Sequence, residues 1–161
     1  MLFHASIEAD DPQHVATTIA RLWKGKALPF PPVAEGSWIA FADDDRNSSI
    51  EVYPRGTELR IGEGDADAQS INVPGKRFGA THLAIATVLE ADEVLSIAQR
   101  EGWPAKICNR GGGTFHVIEI WIEGCQMIEV LTAEMQREYL ENISVEKWER
   151  MLASKPAQPR H

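Results

Sequence analysis

The sequence is short of cysteine and of positive charge and has no long apolar run, and each shortage closes off a class of protein. Its two cysteines, Cys108 and Cys125, form neither a CxxC pair nor a dense framework. Two ordinary half-buried thiols in a reducing compartment are the expectation, and the cytoplasm fits. Lys and Arg total 16 against 24 Asp and Glu, a formal charge of −8. Binding to nucleic acid or an anionic membrane needs the opposite balance, because cationic side chains must replace condensed counterions. No stretch has the length and apolarity of a membrane span, and the start, Met1 to Pro12, carries acidic residues but no basic residue ahead of an apolar block, so no export signal is expected. What remains is a globular chain of 161 residues, 43% hydrophobic and 25% charged, long enough to bury a core. Small molecules are the expected partners.

Periodicity supplies the elements. Leu2 to Glu8 reads as a strand that stops at Asp10-Asp11-Pro12, where Asp11 suits an N-cap and Pro12 a first helical turn. Val15, Ile19 and Leu22 make one apolar helical stripe ending near Gly25. Pro29, Pro31 and Pro32 restrict Ala27 to Gly36 to an edge strand or irregular chain. Ser37 to Ala42 and Ser49 to Tyr53 flank a polar hairpin connection, and Thr57 to Ile61 is expected to extend the sheet. Between Gly62 and Arg77 the chain is polar and aperiodic, as in a linker or lid.

The pattern then restarts. Ala80 to Ile85 is a strand, Ala91, Val94, Leu95 and Ala98 form a helical stripe ending at Gly102, and Ala105 to Cys108, Thr114 to Ile122 and Gln126 to Leu131 are three more strands. Ala133 to Leu140 and Val145 to Leu152, the latter capped by Ser144, read as two terminal helices before a loose tail from Lys155. The organisation is a first β-α-β-β-β module over 1–61, a linker over 62–78, a second module over 79–131 and a helical extension with its tail over 132–161.

Superposing the halves at an offset of 78 residues places His4 on His82, Ile7 on Ile85, Ile19 on Ile97 and Glu51 on Glu129. Each His belongs to the first strand of its half. Each Glu sits among apolar neighbours in the last, Ser-Ile-Glu51-Val-Tyr and Met-Ile-Glu129-Val-Leu. On an alternating strand such a carboxylate can face water while its neighbours face the core. If buried, it needs a partner or a cation. Two imidazoles and two carboxylates form a donor set for one divalent ion, Zn, Ni, Co, Mn or Fe, with positions left for water or substrate oxygens.

The duplicated module with these residues resembles the glyoxalase/bleomycin-resistance/extradiol-dioxygenase superfamily, also called vicinal oxygen chelate. The resemblance covers roughly Met1 to Leu131. Its best stretch, Thr81-His82-Leu83-Ala84-Ile85 through Gly111-Gly112-Gly113-Thr114 to Ile128-Glu129-Val130, is similar to glyoxalase I. It implies an α+β fold of tandem βαβββ modules forming an incomplete barrel, with His4, Glu51, His82 and Glu129 matching the four metal ligands. Modules in such a barrel pair within one chain or across a dimer, and a homodimer is the expected assembly. The activity implied is that of a lyase or isomerase on a small substrate with vicinal oxygens. Proton transfer would pass through a metal-stabilised enediolate, with Glu129 or Glu51 as base. Two other classes stay open: a metal-free binding protein of the bleomycin-resistance type, with a cleft of Trp38, Phe41 and Trp121, and an Fe(II) extradiol dioxygenase. One departure bears on substrate. Where bacterial glyoxalase I has an Arg four residues after the first His, this chain has Glu8, which argues against glutathione.

Lesser candidates are Tyr53, two residues after Glu51 and so on its face, and His116 and Trp38, which align at the same offset; all three are expected to line the substrate cavity. Each also has a plain structural reading as a core or strand residue. Arg110 before three glycines is a weak candidate for an anion contact, and a hairpin connection explains it as well. His14 and His161 have no partners in the pattern.

Overall fold

In the computed structural model, which describes residues 3–30, 34–45, 47–60, 69–73, 75, 81–110 and 112–154, the β-α-β-β-β order occurs twice. The first module comprises β1 (His4–Ala9), α1 (Pro12–Trp23), β2 (Lys26–Pro29), β3 (Trp38–Phe41) and β4 (Ser49–Pro54). A ribbon of β5 (Thr57–Arg60) and β6 (Gln69–Asn72) follows. The second module comprises β7 (Leu83–Ala86), α2 (Ala91–Glu101), β8 (Ala105–Arg110), β9 (Phe115–Ile122) and β10 (Gln126–Leu131), and α3 (Ala133–Asn142) and α4 (Val145–Ser154) come last.

Local chemistry accounts for the boundaries. The Asp11 carboxylate accepts the His14 N–H with Pro12 in the first turn, and Lys24 ends α1 in the left-handed conformation. Glu90 and Glu93 form a reciprocal capping box on α2, whose C-cap Gly102 has φ 69°. Thr132 caps α3, and the Ser144 hydroxyl accepts the Lys147 N–H at the start of α4.

The two sheets share one topology. Their orders are β1-β4-β3-β2 and β7-β10-β9-β8, each with its first strand at an edge, parallel to the last. On one pleat Ile7, Ile50, Val52, Ile85, Ile118, Ile120, Ile122, Ile128 and Val130 join α1 and α2 in a core that runs through both modules. The other pleat faces outward. Over the second sheet it is partly covered by α3, where Met135 is buried with Val117 and Leu131.

Two local expectations give way. Thr57–Arg60 does not lengthen the first sheet; it pairs antiparallel with Gln69–Asn72, a strand inside the stretch expected to be aperiodic. Neither strand has an apolar alternation, because the ribbon stands off the core with Leu59 and Ile71 exposed. Residues 61–68, much of 74–80 and the tail from Lys155, including His161, lie outside the described residues. Cys108 and Cys125 are both buried and unbridged. No helix among the described residues is long and apolar enough to cross a membrane.

Polar contacts join the modules as well: His14 and Arg21 of α1 both reach Glu101 of α2, at 2.7 Å and 2.8 Å. Thr87 Oγ1 donates to the Leu22 carbonyl at 2.5 Å. Arg55, largely buried, reaches Asp10 at 2.5 Å and Glu123 at 2.6 Å, and Glu123 also accepts the amides of Asp10 and Asp11. Arg55→Ala removes the cation that bridges Asp10 and Glu123. It should lower unfolding stability by about 1–2 kcal/mol, read from urea denaturation; a change under roughly 0.5 kcal/mol would show that the bridge contributes nothing.

Candidate functional site

The register decides which side chains share a face. In the parallel pair β1–β4, Ser6 lies opposite Glu51, and His4, two residues earlier, projects from the same pleat. In β7–β10, Ala84 lies opposite Glu129, so His82, just before β7, occupies the position equivalent to His4. Each module therefore carries one His and one Glu in the same diagonal relation, with His4 on the edge strand β1 and His82 just before the edge strand β7.

The first pair is in place. His4 Nε2 is 3.9 Å from Glu51 Oε1, with side-chain exposures of 60% and 13%. The other oxygen, Oε2, is engaged twice, by the Ser6 hydroxyl at 3.0 Å and the Tyr53 hydroxyl at 2.8 Å. Burial, reinforced by the Glu51 carboxylate, pushes the Tyr53 phenol far above its usual range, so it stays a donor at neutral pH. Glu51 is thus held by one oxygen and offers the other toward His4. Glu8 accepts the Gly56 N–H at 3.0 Å, which ties its carboxylate to the β4–β5 turn.

The second pair is arranged differently. Glu129 is half-buried and makes no hydrogen bond or ion pair among the described residues. Its antiparallel neighbour across the ladder is Glu119, only 6% exposed. Glu119 accepts the Trp121 indole N–H at 2.8 Å and pairs with Arg110 through one oxygen and with Lys106, at 3.7 Å, through the other. The Trp121 hydrogen bond, against the cost of burial and aided by Lys106 and Arg110, holds the Glu119 carboxyl below the usual carboxylate range. Glu119 is neutralised within the chain, and Glu129 is not.

His4 and His82 both line a cavity of about 520 Å³ between the edge strands β1 and β7, walled also by Trp23, Ser49, Leu83 and Thr87. Glu51 and Glu129 stand outside that lining. Among the described residues no three His, Cys, Asp or Glu side chains gather closely enough to hold an ion. The donor chemistry suits a divalent metal, but one chain presents it as two half-sites.

Of the remaining candidates, Tyr53 stands beside Glu51 as expected. Trp38 and His116 do not share that face. Trp38 lies opposite Val52 and packs toward the helix-side core, because alternation puts it one pleat away from Glu51. His116 shares the pleat of Ile118, and its Nδ1 is 3.0 Å from Glu138 of α3, which also accepts its backbone N–H. Phe41, opposite Ser49, and Trp121, opposite Met127, do sit on the outward pleats of Glu51 and Glu129. Sequence reasoning missed Ser6 and Glu119. Ser6 was recoverable as the residue two after His4, whereas Glu119 needed the β9–β10 register.

No protein-family model matches the sequence, and no curated protein matches it. Solved structures do. Over 89% of this chain and 98% of the other, it superposes on the fosfomycin resistance protein FosX of Listeria monocytogenes, with 12% identity and a TM-score of 0.55. The same protein complexed with Mn(II) and sulfate gives 11% identity, coverage of 88% and 96%, and a TM-score of 0.54. Lactoylglutathione lyase of Agrobacterium tumefaciens gives 12% identity, coverage of 83% and 94%, and a TM-score of 0.51. The chain has the vicinal-oxygen-chelate fold. At these identities the likeness extends to the fold alone. Within the vicinal-oxygen-chelate fold, the repeated His–Glu diagonal is this chain's own most specific feature.

Proposed function

We propose that the protein is a metal-dependent lyase or isomerase acting on a small substrate with two adjacent oxygens, as a cytoplasmic homodimer. The observation that carries this reading is the duplicated register, which gives each module a His and a Glu in the same diagonal relation. His4 and Glu51 of one copy, facing His82 and Glu129 of a second, would complete the four donors that one chain leaves apart. A divalent ion held there would lend Lewis acidity to the substrate oxygens. Ser6 and Tyr53 keep Glu51 in one orientation through Oε2. Glu129, with no such restraint, is the carboxylate suited to accept a proton from carbon. The tethering of Glu8 to Gly56 leaves no cation at that point of β1 for a glutathione carboxylate.

One observation favours a second reading, a metal-free binding protein: no three metal-binding groups meet among the described residues. Metal analysis of the purified chain separates the two. Wild type should carry roughly one divalent ion per chain, while His4→Ala and Glu129→Ala should carry almost none. Wild type without metal after incubation with Zn, Ni, Co, Mn and Fe(II) in turn would leave only the binding-protein reading.

A further inference from the structure

We infer that the cavity between the edges of β1 and β7 binds an uncharged small molecule with an apolar body and an amide or carbonyl group. This deepens the reading above by naming a substrate class, and it rests on that reading in that His4 and His82, one imidazole from each half-site, both line the cavity. Its volume of about 520 Å³ falls inside the roughly 300–1,000 Å³ of small-molecule pockets. Every residue from His82 to Val88 lines it, as do Phe3, His4 and Ala5. Successive side chains of a strand point to opposite faces, so a cavity that touches all of them runs along the strand edges rather than over either face of a sheet.

Two features of those edges select the ligand. The first is charge. Among the described residues the lining has no Lys or Arg, and its one carboxylate, Asp44, is committed to its own turn, where Oδ1 accepts the Ser48 N–H at 2.8 Å. An anion entering there would lose water and meet no cation. Trp23, Ile50, Leu83 and Ile85 supply apolar wall instead, with Phe3 and Val88 exposed beside them. The second is the backbone. The Thr87 N–H donates to the Leu131 carbonyl at 2.9 Å, and in a parallel ladder the alternate residues turn both backbone groups the other way, so Ala84 and Ala86 present theirs along the free edge of β7. On β1 the Phe3 carbonyl accepts the Ser49 N–H at 3.0 Å, which by the same alternation turns the His4 N–H and C=O to the free edge. These neutral donors and acceptors match an amide or a carbonyl. Held by the sheet, they lose little freedom when a ligand arrives.

The test titrates the full chain, as purified and again after chelation, with benzamide, benzoate and benzamidine, planar probes of one shape that are neutral, anionic and cationic. The indole N–H signal of Trp23, assigned with Trp23→Phe, is followed by two-dimensional NMR. The expected result is a saturable shift with benzamide, unchanged by chelation, at an affinity about tenfold or more above that of either charged probe. Ala84 and Ala86 are exposed, so Ala84→Phe and Ala86→Phe fill the cavity without entering the core, and each should weaken benzamide binding by about tenfold. A benzamide shift that never saturates, tighter binding of either charged probe, or unchanged benzamide affinity in both filled variants would overturn the inference. Saturable benzamide binding in a protein that takes up no metal would keep this ligand class and remove the metal reading, and metal uptake without benzamide saturation would do the reverse.

Discussion

Gly25→Ala should be among the most destabilising single substitutions in this chain. Gly25 sits between α1 and β2, its N–H bonded to the Ala20 carbonyl at 2.8 Å, and a Cβ there would lie 1.9 Å from the carbonyl oxygen of Phe41. The obstructing atom is backbone, part of the β3 end that pairs with β2, so no rotamer change relieves it. The turn or the β2–β3 ladder must move, at about 3 kcal/mol or more, a large share of the roughly 5–15 kcal/mol that holds a domain folded. Gly102→Ala is the control. It carries φ 69° but meets nothing within 4 Å, so it should cost only about 1 kcal/mol. Equilibrium urea unfolding measures both, and a Gly25→Ala midpoint equal to wild type would contradict the close approach of α1 to the first sheet.

Metal affinity should fall in two tiers. His4→Ala and Glu129→Ala remove a donor, and each should weaken binding by more than about a hundredfold. Tyr53→Phe and Ser6→Ala leave all four donors but release Glu51 Oε2, so each should weaken binding by roughly ten- to a hundredfold. Competition against a chromophoric chelator reads these values directly. Equal affinity in Tyr53→Phe and wild type would show that the hydroxyl serves packing alone, and that Glu51 needs no restraint.

The order of elements was legible because the signals were local: Asp11-Pro12 at a helix start, Gly102 at a helix end, prolines confining β2 to an edge. The repeat was legible because His4, Glu51, His82 and Glu129 share one offset, and the identical strand registers give that offset a structural cause. The ribbon of Thr57–Arg60 with Gln69–Asn72 was hidden, since its strands are held by backbone pairing away from the core and carry no burial pattern. The facing of Trp38 and His116 was not legible for a different reason. Their alignment with each other gave no parity relative to Glu51 and Glu129, and on a strand a shift of one residue reverses the face. Glu119 was invisible because its partners, Lys106, Arg110 and Trp121, are gathered from two strands by register rather than by spacing.

Whether the ligand set is shared between copies is open to one direct measurement. His4→Ala breaks only the half-site of the first module and Glu129→Ala only that of the second. Co-expressing the two variants and measuring metal per chain should return roughly a quarter of the wild-type content when copies associate at random, because each mixed dimer pairs one intact first module with one intact second module. A mixture that holds no more metal than either variant alone would contradict a site built across two copies.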